Sequence, residues 1–238
     1  MKSKKQFKDK KFASIIPYDL TNKSLVHWGT NLGSTVGLKM TQNELNIIIL
    51  PYFVKSVIIG ILLSDGYIVF STKSKNGRLG ITQCLAHSGY IYFVFNILAH
   101  YCPRYPVFTE RFKPIFNLEI ITRSMPCITE LYNNYYINKT KTIKPCIYND
   151  LTPVGLAHWI MGDGTFNGIT LLFCTDSYSI KDIVMLMNVL IIKYDIYCTI
   201  RYYNNRYPRI YILKKSLFNL RQLVKPFMHP SMLYKLGL

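Results

Sequence analysis

Two short stretches of this chain are near copies of each other, and both close on Asp-Gly. The first runs Val57-Ile-Ile-Gly-Ile-Leu-Leu-Ser-Asp65-Gly66; the second runs Gly155-Leu-Ala-His-Trp-Ile-Met-Gly-Asp163-Gly164. Each is an apolar run of helical character that ends on one carboxylate and a glycine, with an aromatic just beyond (Tyr67, Phe166). The aspartates are 163 − 65 = 98 positions apart in a chain of 238 residues. A repeat on that scale predicts two related halves, each bringing one acid to a shared centre. An acid at a helix C-terminus opposes the helix dipole, so a purely structural role explains neither aspartate.

The charge balance narrows the partner. Lys and Arg number 29 against 12 Asp and Glu, a net charge of +17. Such a chain attracts a polyanion: nucleic acid, or an anionic membrane surface. A peripheral membrane protein needs a basic amphipathic helix, whereas the basic residues here fall mostly in expected loops and strands. The most apolar stretch, Leu45 to Leu63, is broken by Asn46, Pro51, Lys55 and Ser56 and is not a clean membrane span. The opening Met1-Lys-Ser-Lys-Lys-Gln-Phe-Lys-Asp-Lys-Lys lacks the apolar segment of a signal peptide and the composition of a transit peptide. It reads as a basic arm that touches phosphates with little base specificity. Cys84, Cys102, Cys127, Cys146, Cys174 and Cys198 never approach Cys-x-x-Cys spacing. They read as core residues of a reducing compartment rather than a zinc knuckle.

The local patterns repeat like the motifs. Residues 1–46 read as a basic, partly ordered extension. Pro51 marks a helix start and Gly66 its end. A hairpin with a basic tip follows (67–72 and 79–84), then a helix at 88–100, strands at 104–112 and 115–122 joined by Lys113-Pro114, and a helix at 125–137. The polar stretch 139–150, with Pro145, reads as a linker. After it come a helix at 153–162, a hairpin at 165–175, a helix at 179–193, strands near 196–203 and 208–213, and a helix from 215. The expected class is α+β. It comprises two αββαββα repeats (47–138 and 151–238), each an antiparallel saddle-shaped sheet backed by helices and joined through the two motif helices. Strand alternation puts Thr199, Arg201 and Tyr203 on one face and Cys198, Ile200 and Tyr202 on the other. Each sheet thus has an apolar face for helices and a basic, aromatic face for a partner.

These features together resemble the single-chain LAGLIDADG homing endonucleases, over about residues 50–238. The second motif, led by Leu151-Thr-Pro, and the tail Leu223-Val-Lys-Pro-Phe-Met-His-Pro-Ser-Met-Leu-Tyr-Lys235 are similar to members from mitochondrial introns. The acid often found at the sixth motif position is replaced here by Leu63 and Met161. His158 and Trp159 stand where the first motif has Gly60 and Ile61, so the helix contact is expected to be asymmetric.

The resemblance implies a mechanism. Asp65 and Asp163 would hold Mg²⁺ beneath the DNA minor groove, with the backbone carbonyls of Ser64 and Gly162 completing the ligands. Mn²⁺ is expected to substitute, and Ca²⁺ to bind without supporting cleavage. Hard divalent ions suit oxygen ligands and supply the charge stabilisation that phosphodiester hydrolysis needs. A basic residue beside each scissile phosphate is implied at Lys141 (or Lys144) and at Lys225. Gln83 resembles a polar residue that orients water, with Thr175 or Asp176 as its counterpart. The sheets would read the major groove of double-stranded DNA. Candidate contacts are Lys73, Lys75, Arg78, Arg111, Asn117 and Glu119 in the first half, and Asn167, Arg201, Tyr203, Arg206 and Arg209 in the second. None of the five histidines has a ligand-like partner in sequence, and each reads as structural.

Two functions fit: a site-specific DNA endonuclease making a staggered break at a long pseudo-asymmetric site, and an RNA-binding intron maturase with weakened nuclease activity. Retention of both aspartates favours the first. A monomer is expected, since two halves already supply the symmetry that shorter relatives reach by dimerising. Richness in Ile, Asn, Lys and Tyr points to an organelle genome, mitochondrial before plastid, whose product needs no transit peptide.

Overall fold

The fold is described from a computed structural model for residues 35–112 and 115–238, the side chains of 110–112 and 115 excepted. The basic arm and the Lys113-Pro114 turn lie outside the described residues. The remainder of the extension carries a short helix, α1 (Gln42–Ile47), closed by a capping box between Thr41 and Glu44. The Arg123 guanidinium fastens this end to the body by donating to the carbonyls of Thr35 and Leu38.

The first repeat opens with α2 (Tyr52–Leu62), buried along most of its length. Then follow β1 (Gly66–Phe70), β2 (Gly77–Cys84), a 3₁₀ turn (Leu85–His87), α3 (Ser88–Leu98), β3 (Val107–Phe112), β4 (Ile115–Ile121) and α4 (Pro126–Tyr135). Next are a small hairpin, β5 (Tyr136–Ile137) and β6 (Thr140–Lys141), and a one-turn helix, α5 (Ile147–Asp150). The second repeat is α6 (Pro153–Asp163), β7 (Gly164–Phe166), β8 (Leu171–Phe173), α7 (Ile180–Tyr194), β9 (Cys198–Tyr203), β10 (Tyr207–Ile212) and α8 (Leu217–Val224). It closes with 3₁₀ turns over Pro230–Leu236. The sheets are antiparallel with matching orders, β1-β2-β4-β3 and β7-β8-β10-β9, so the repeat seen in sequence is also a repeat of topology.

Register assigns the faces. In the first sheet Ile68, Leu79, Ile81, Leu118 and Ile120 share a buried face packed on α3 and α4. Tyr67, Arg78, Thr82, Asn117 and Glu119 share the opposite face. In the second sheet Ile210 and Ile212 are buried toward α7, while Thr199, Arg201, Tyr203, Tyr207, Arg209 and Tyr211 lie together on the other face.

The expected linker is more structured than its polar composition predicts. Thr140–Lys141 pairs with Tyr136–Ile137, so the helix expected over 125–137 stops at Tyr135. Asp150 on α5 pairs with Lys55 of α2 at 3.0 Å and accepts from the Tyr135 hydroxyl at 2.6 Å. All six cysteines are free. Among the described residues no helix is long and apolar enough to cross a membrane.

Candidate active site

Helices α2 and α6 pack against each other closely enough to require small residues. A Cβ on Gly60 would strike the Gly155 carbonyl oxygen and lie 2.7 Å from His158 Cβ. One on Gly155 would lie 3.0 Å from the Ser56 carbonyl oxygen, and one on Gly162 would strike the Ser64 hydroxyl. The expected asymmetry has a partner: His158 turns its ring out of the helix pair toward α3. There Nδ1 meets the Tyr90 hydroxyl at 3.1 Å, and the ring stacks on Phe93. Full burial pulls its pKa down to about 3, so it stays neutral in the core.

This packing brings the two motif ends together. Asp65 is exposed, just past the end of α2; Asp163 is half-buried as the last residue of α6. A Cβ on Gly162 would sit 3.2 Å from Asp65 Oδ2, which fixes how near the first carboxylate lies to the second motif. Burial, and next the charge of Asp65, push the Asp163 carboxyl up to about 7, against the opposing pull of Lys141 and Lys235. Two close carboxylates resist joint ionisation unless a cation joins them.

Two lysines mirror each other around the acids. Lys141 Nζ donates to the Ser64 carbonyl at 2.9 Å, and Lys235 Nζ donates to the Gly162 carbonyl. Burial lowers the pKa of both, while Asp65 and Asp163 raise it. Lys225 is exposed at the start of the 3₁₀ turn Lys225–Phe227, whereas the contact that mirrors that of Lys141 is made by Lys235, which the sequence reading did not single out. Spacing held the signal. Lys141 follows Asp65 by 141 − 65 = 76 positions and Lys235 follows Asp163 by 235 − 163 = 72, whereas Lys225 follows by only 62. The alternative to Lys141, Lys144, instead donates to the Asn133 carbonyl beyond the hairpin.

Gln83, at the end of β2, donates from Nε2 to Asp65 Oδ2 at 2.5 Å. Its counterpart follows from register. Gly66 pairs with Ile81 and Gly164 with Phe173, which equates Gln83 with Thr175. Thr175 is buried and donates to the Pro208 carbonyl at 2.8 Å; Asp176 pairs with Arg209. Neither does for Asp163 what Gln83 does for Asp65.

The residues suit a hard divalent cation. Among the described residues no cluster of three His, Cys, Asp or Glu could cage one. Two carboxylates, with the Ser64 and Gly162 carbonyls beside them, are a donor set Mg²⁺ accepts when water and phosphate complete its shell. A cation there would offset the two largest influences that raise the Asp163 carboxyl, burial first and the Asp65 charge second.

The candidate DNA contacts divide by place. Lys73 and Lys75 are exposed between β1 and β2, and Asn167 and Arg206 are exposed in hairpin turns of the second sheet. Arg78, Asn117, Glu119, Arg201, Tyr203 and Arg209 lie on the open sheet faces. Glu119 accepts from the Tyr67 hydroxyl at 2.7 Å. The Arg111 side chain lies outside the described residues. In the second sheet the arginines are pre-set: Arg201 lies 3.6 Å over the Tyr211 ring and Arg209 4.1 Å over Tyr203. Arg209 also donates from Nε and Nη2 to Asp176 at 2.8 and 2.7 Å.

A helix pair carrying one acid from each repeat, between two sheets of matching order, is the arrangement of a two-repeat LAGLIDADG protein. Residues 55–220 match the LAGLIDADG DNA endonuclease family, and the chain belongs to it. It is similar to the cytochrome b mRNA maturase bI2 of Saccharomyces cerevisiae, at 30% identity over 98% of this chain and 58% of the maturase. The chain therefore spans less than two thirds of that relative. It is also similar to the intron-encoded endonuclease ai4 of Dictyostelium discoideum, at 34% identity over 53% of this chain and 80% of that protein. Among solved structures it resembles the homing endonuclease I-WcaI bound to its DNA recognition sequence. There the TM-score is 0.73 and the identity 27%, over 79% of this chain and 88% of that one.

Proposed function

We propose that this chain is a site-specific DNA homing endonuclease. It makes a staggered double-strand break at a long, pseudo-asymmetric site by Mg²⁺-dependent phosphodiester hydrolysis. The observation that carries the reading is the meeting of two carboxylates, one per repeat, at the contact of two helices that each lead into a sheet with an open basic face. The relative solved on its DNA recognition sequence supports a DNA partner for this fold.

Asp65, Asp163 and the carbonyls of Ser64 and Gly162 would hold the cation, which when bound polarises the phosphate and lowers the pKa of water. Mn²⁺ would serve in its place, and Ca²⁺ would bind without cutting. Lys141 and Lys235 hold positive charge beside the carboxylates, where negative charge grows on the phosphate. Gln83 fixes one oxygen of Asp65 and leaves the other for the cation. Arg201, Arg209 and the exposed basic tips would contact the grooves and phosphates. We read the chain as an intron product of a mitochondrial genome, acting as a monomer.

A maturase reading is kept by one finding: the relative matched over 98% of this chain is a maturase. One experiment separates the two. Purified protein is incubated with a randomised or insertion-site DNA library, with Mg²⁺ or with EDTA, and the ends are sequenced. Discrete Mg²⁺-dependent breaks at one long site are expected. Tight binding of intron RNA with no breaks would move the assignment to maturase.

A further inference from the structure

Asp65 is the end of a hydrogen-bonded chain that begins in the other repeat. Gln83 Nε2 meets Asp65 Oδ2, Gln83 Oε1 lies 3.1 Å from His87 Nδ1, and His87 Nε2 lies 3.2 Å from the Tyr234 hydroxyl. Tyr234 adjoins Lys235, which holds the Gly162 carbonyl of the second motif. Chemistry sets the direction of every link. An ionised carboxylate only accepts, so Gln83 must turn its NH₂ to Asp65. Its oxygen then faces His87 and needs a donor, so the proton sits on Nδ1. In the neutral ring, which burial favours, that leaves Nε2 as an acceptor to which the Tyr234 hydroxyl can donate. Without His87 the glutamine amide is held at one end only, and its terminal torsion is soft.

The second repeat lacks this connection. The residue before α3 is His87 and the residue before α7 is Ser179, so the two correspond. Each helix start grips the other repeat or its tail: His87 meets Tyr234, and Asp182, boxed with Ser179, accepts from the Ile143 amide at 2.8 Å. Only the first grip continues to an acid, because Thr175, in the place of Gln83, is tied to Pro208.

We propose that His87 is a positioning residue for the Asp65 half of the centre, locking the Gln83 amide on Asp65 and taking its own orientation from Tyr234 across the repeats. Its effect on cutting rests on the endonuclease reading; its proton position does not.

Two readouts test it. In ¹⁵N-histidine-labelled full-length protein, with His87 assigned by the signal missing from His87→Asn, the ring should be neutral with its proton on Nδ1. A neutral ring protonated on Nε2 would overturn the proposal, whether or not the protein cuts DNA. On the mapped target, labelled on each strand in turn, His87→Ala should slow one strand relative to the other by about 10-fold, as loss of an orienting partner does. His87→Asn, which puts an amide donor near the position of Nδ1, should restore the ratio. Tyr234→Phe should shift it in the direction of His87→Ala, by less. Equal slowing of both strands by His87→Ala, with melting temperature unchanged, would mean that His87 does not serve one acid, and would overturn the proposal. A wild type that cuts nothing would defeat the endonuclease reading and leave the ring proton to decide this one.

Discussion

Asp163 and Asp65 have the same motif and different surroundings. Asp65 is exposed and held by Gln83, whereas Asp163 is half-buried with its carboxyl pushed up to about 7. The sign of the linkage follows. A folded pKa above the ordinary value of 3.8 means the unfolded chain ionises more readily, so the metal-free fold loses stability as pH rises from about 4 to 7. A cation takes the ionised form, so binding releases a proton below pH 7. The Mg²⁺-induced rise in Tm should be larger at pH 8 than at pH 6, and Asp163→Asn should remove that difference; equal rises in the wild type would contradict the assignment. The lysines give a second expectation. Lys235→Ala should lower the cutting rate about 100-fold, the scale of losing one charge-stabilising donor. Lys225→Ala should change only affinity; the reverse pattern, read from single-turnover rates, would restore Lys225. The acids were legible because an apolar run makes a lone carboxylate conspicuous. Lys235 was not, because it hides in an apolar tail where Lys225-Pro226 mimics Lys144-Pro145. His87 was not either: Gln83 stands only four residues before it, but Tyr234, which orients its ring, lies 147 positions further along the chain.

At the scale of elements, α2 and α6 are set by what they leave out. Gly60→Ala gains up to about 1 kcal/mol of helix propensity. It also places a methyl against the Gly155 carbonyl, where only movement of the helix pair gives room. Overpacking of this kind costs about 1–3 kcal/mol, so Gly60→Ala should lower the Tm and disturb the acid pair. Gly89→Ala on α3 meets the edge of the His229 ring at 3.2 Å and the Ser231 hydroxyl at 3.6 Å, side-chain atoms that can give way, and should be near neutral. Thermal unfolding of the two variants checks this, and equal Tm values would remove the close-packing account. The major helices and sheet strands were readable from period and punctuation. The β5–β6 hairpin was not: its turn is Asn138-Lys139, both at positive φ (49° and 66°), with no glycine to announce it. Two-residue strands are also too short to display alternation. The sequence therefore reads as linker where the chain in fact carries Lys141 to the centre.

For the whole molecule, the repeat is the main fact, and the two Asp-Gly motifs make it visible in the sequence itself. The identical strand orders extend it to both sheets, and register puts Arg201, Tyr203, Arg209 and Tyr211 on one open face as alternation predicts. Which bases such a face reads is not written in the side chains alone, because DNA deformability adds specificity at untouched positions. Affinity for target DNA should fall steeply with salt, as release of counterions from about 6–10 phosphates requires. A flat response in a binding titration would exclude a nucleic-acid partner. Sedimentation of the complex should give one chain per duplex, since both acids are already present in one chain.

On the endonuclease reading, Asp65 and Asp163 form one metal-dependent cutting centre. The most direct measurement is double-strand cutting of the mapped target in Mg²⁺ by the wild type, Asp65→Asn and Asp163→Asn, with DNA affinity measured in parallel in Ca²⁺. Each substitution should abolish the double-strand break while leaving affinity within about threefold, because phosphate contacts elsewhere carry most of the binding. A variant that still makes the break at the wild-type rate would show that its aspartate is not part of the centre.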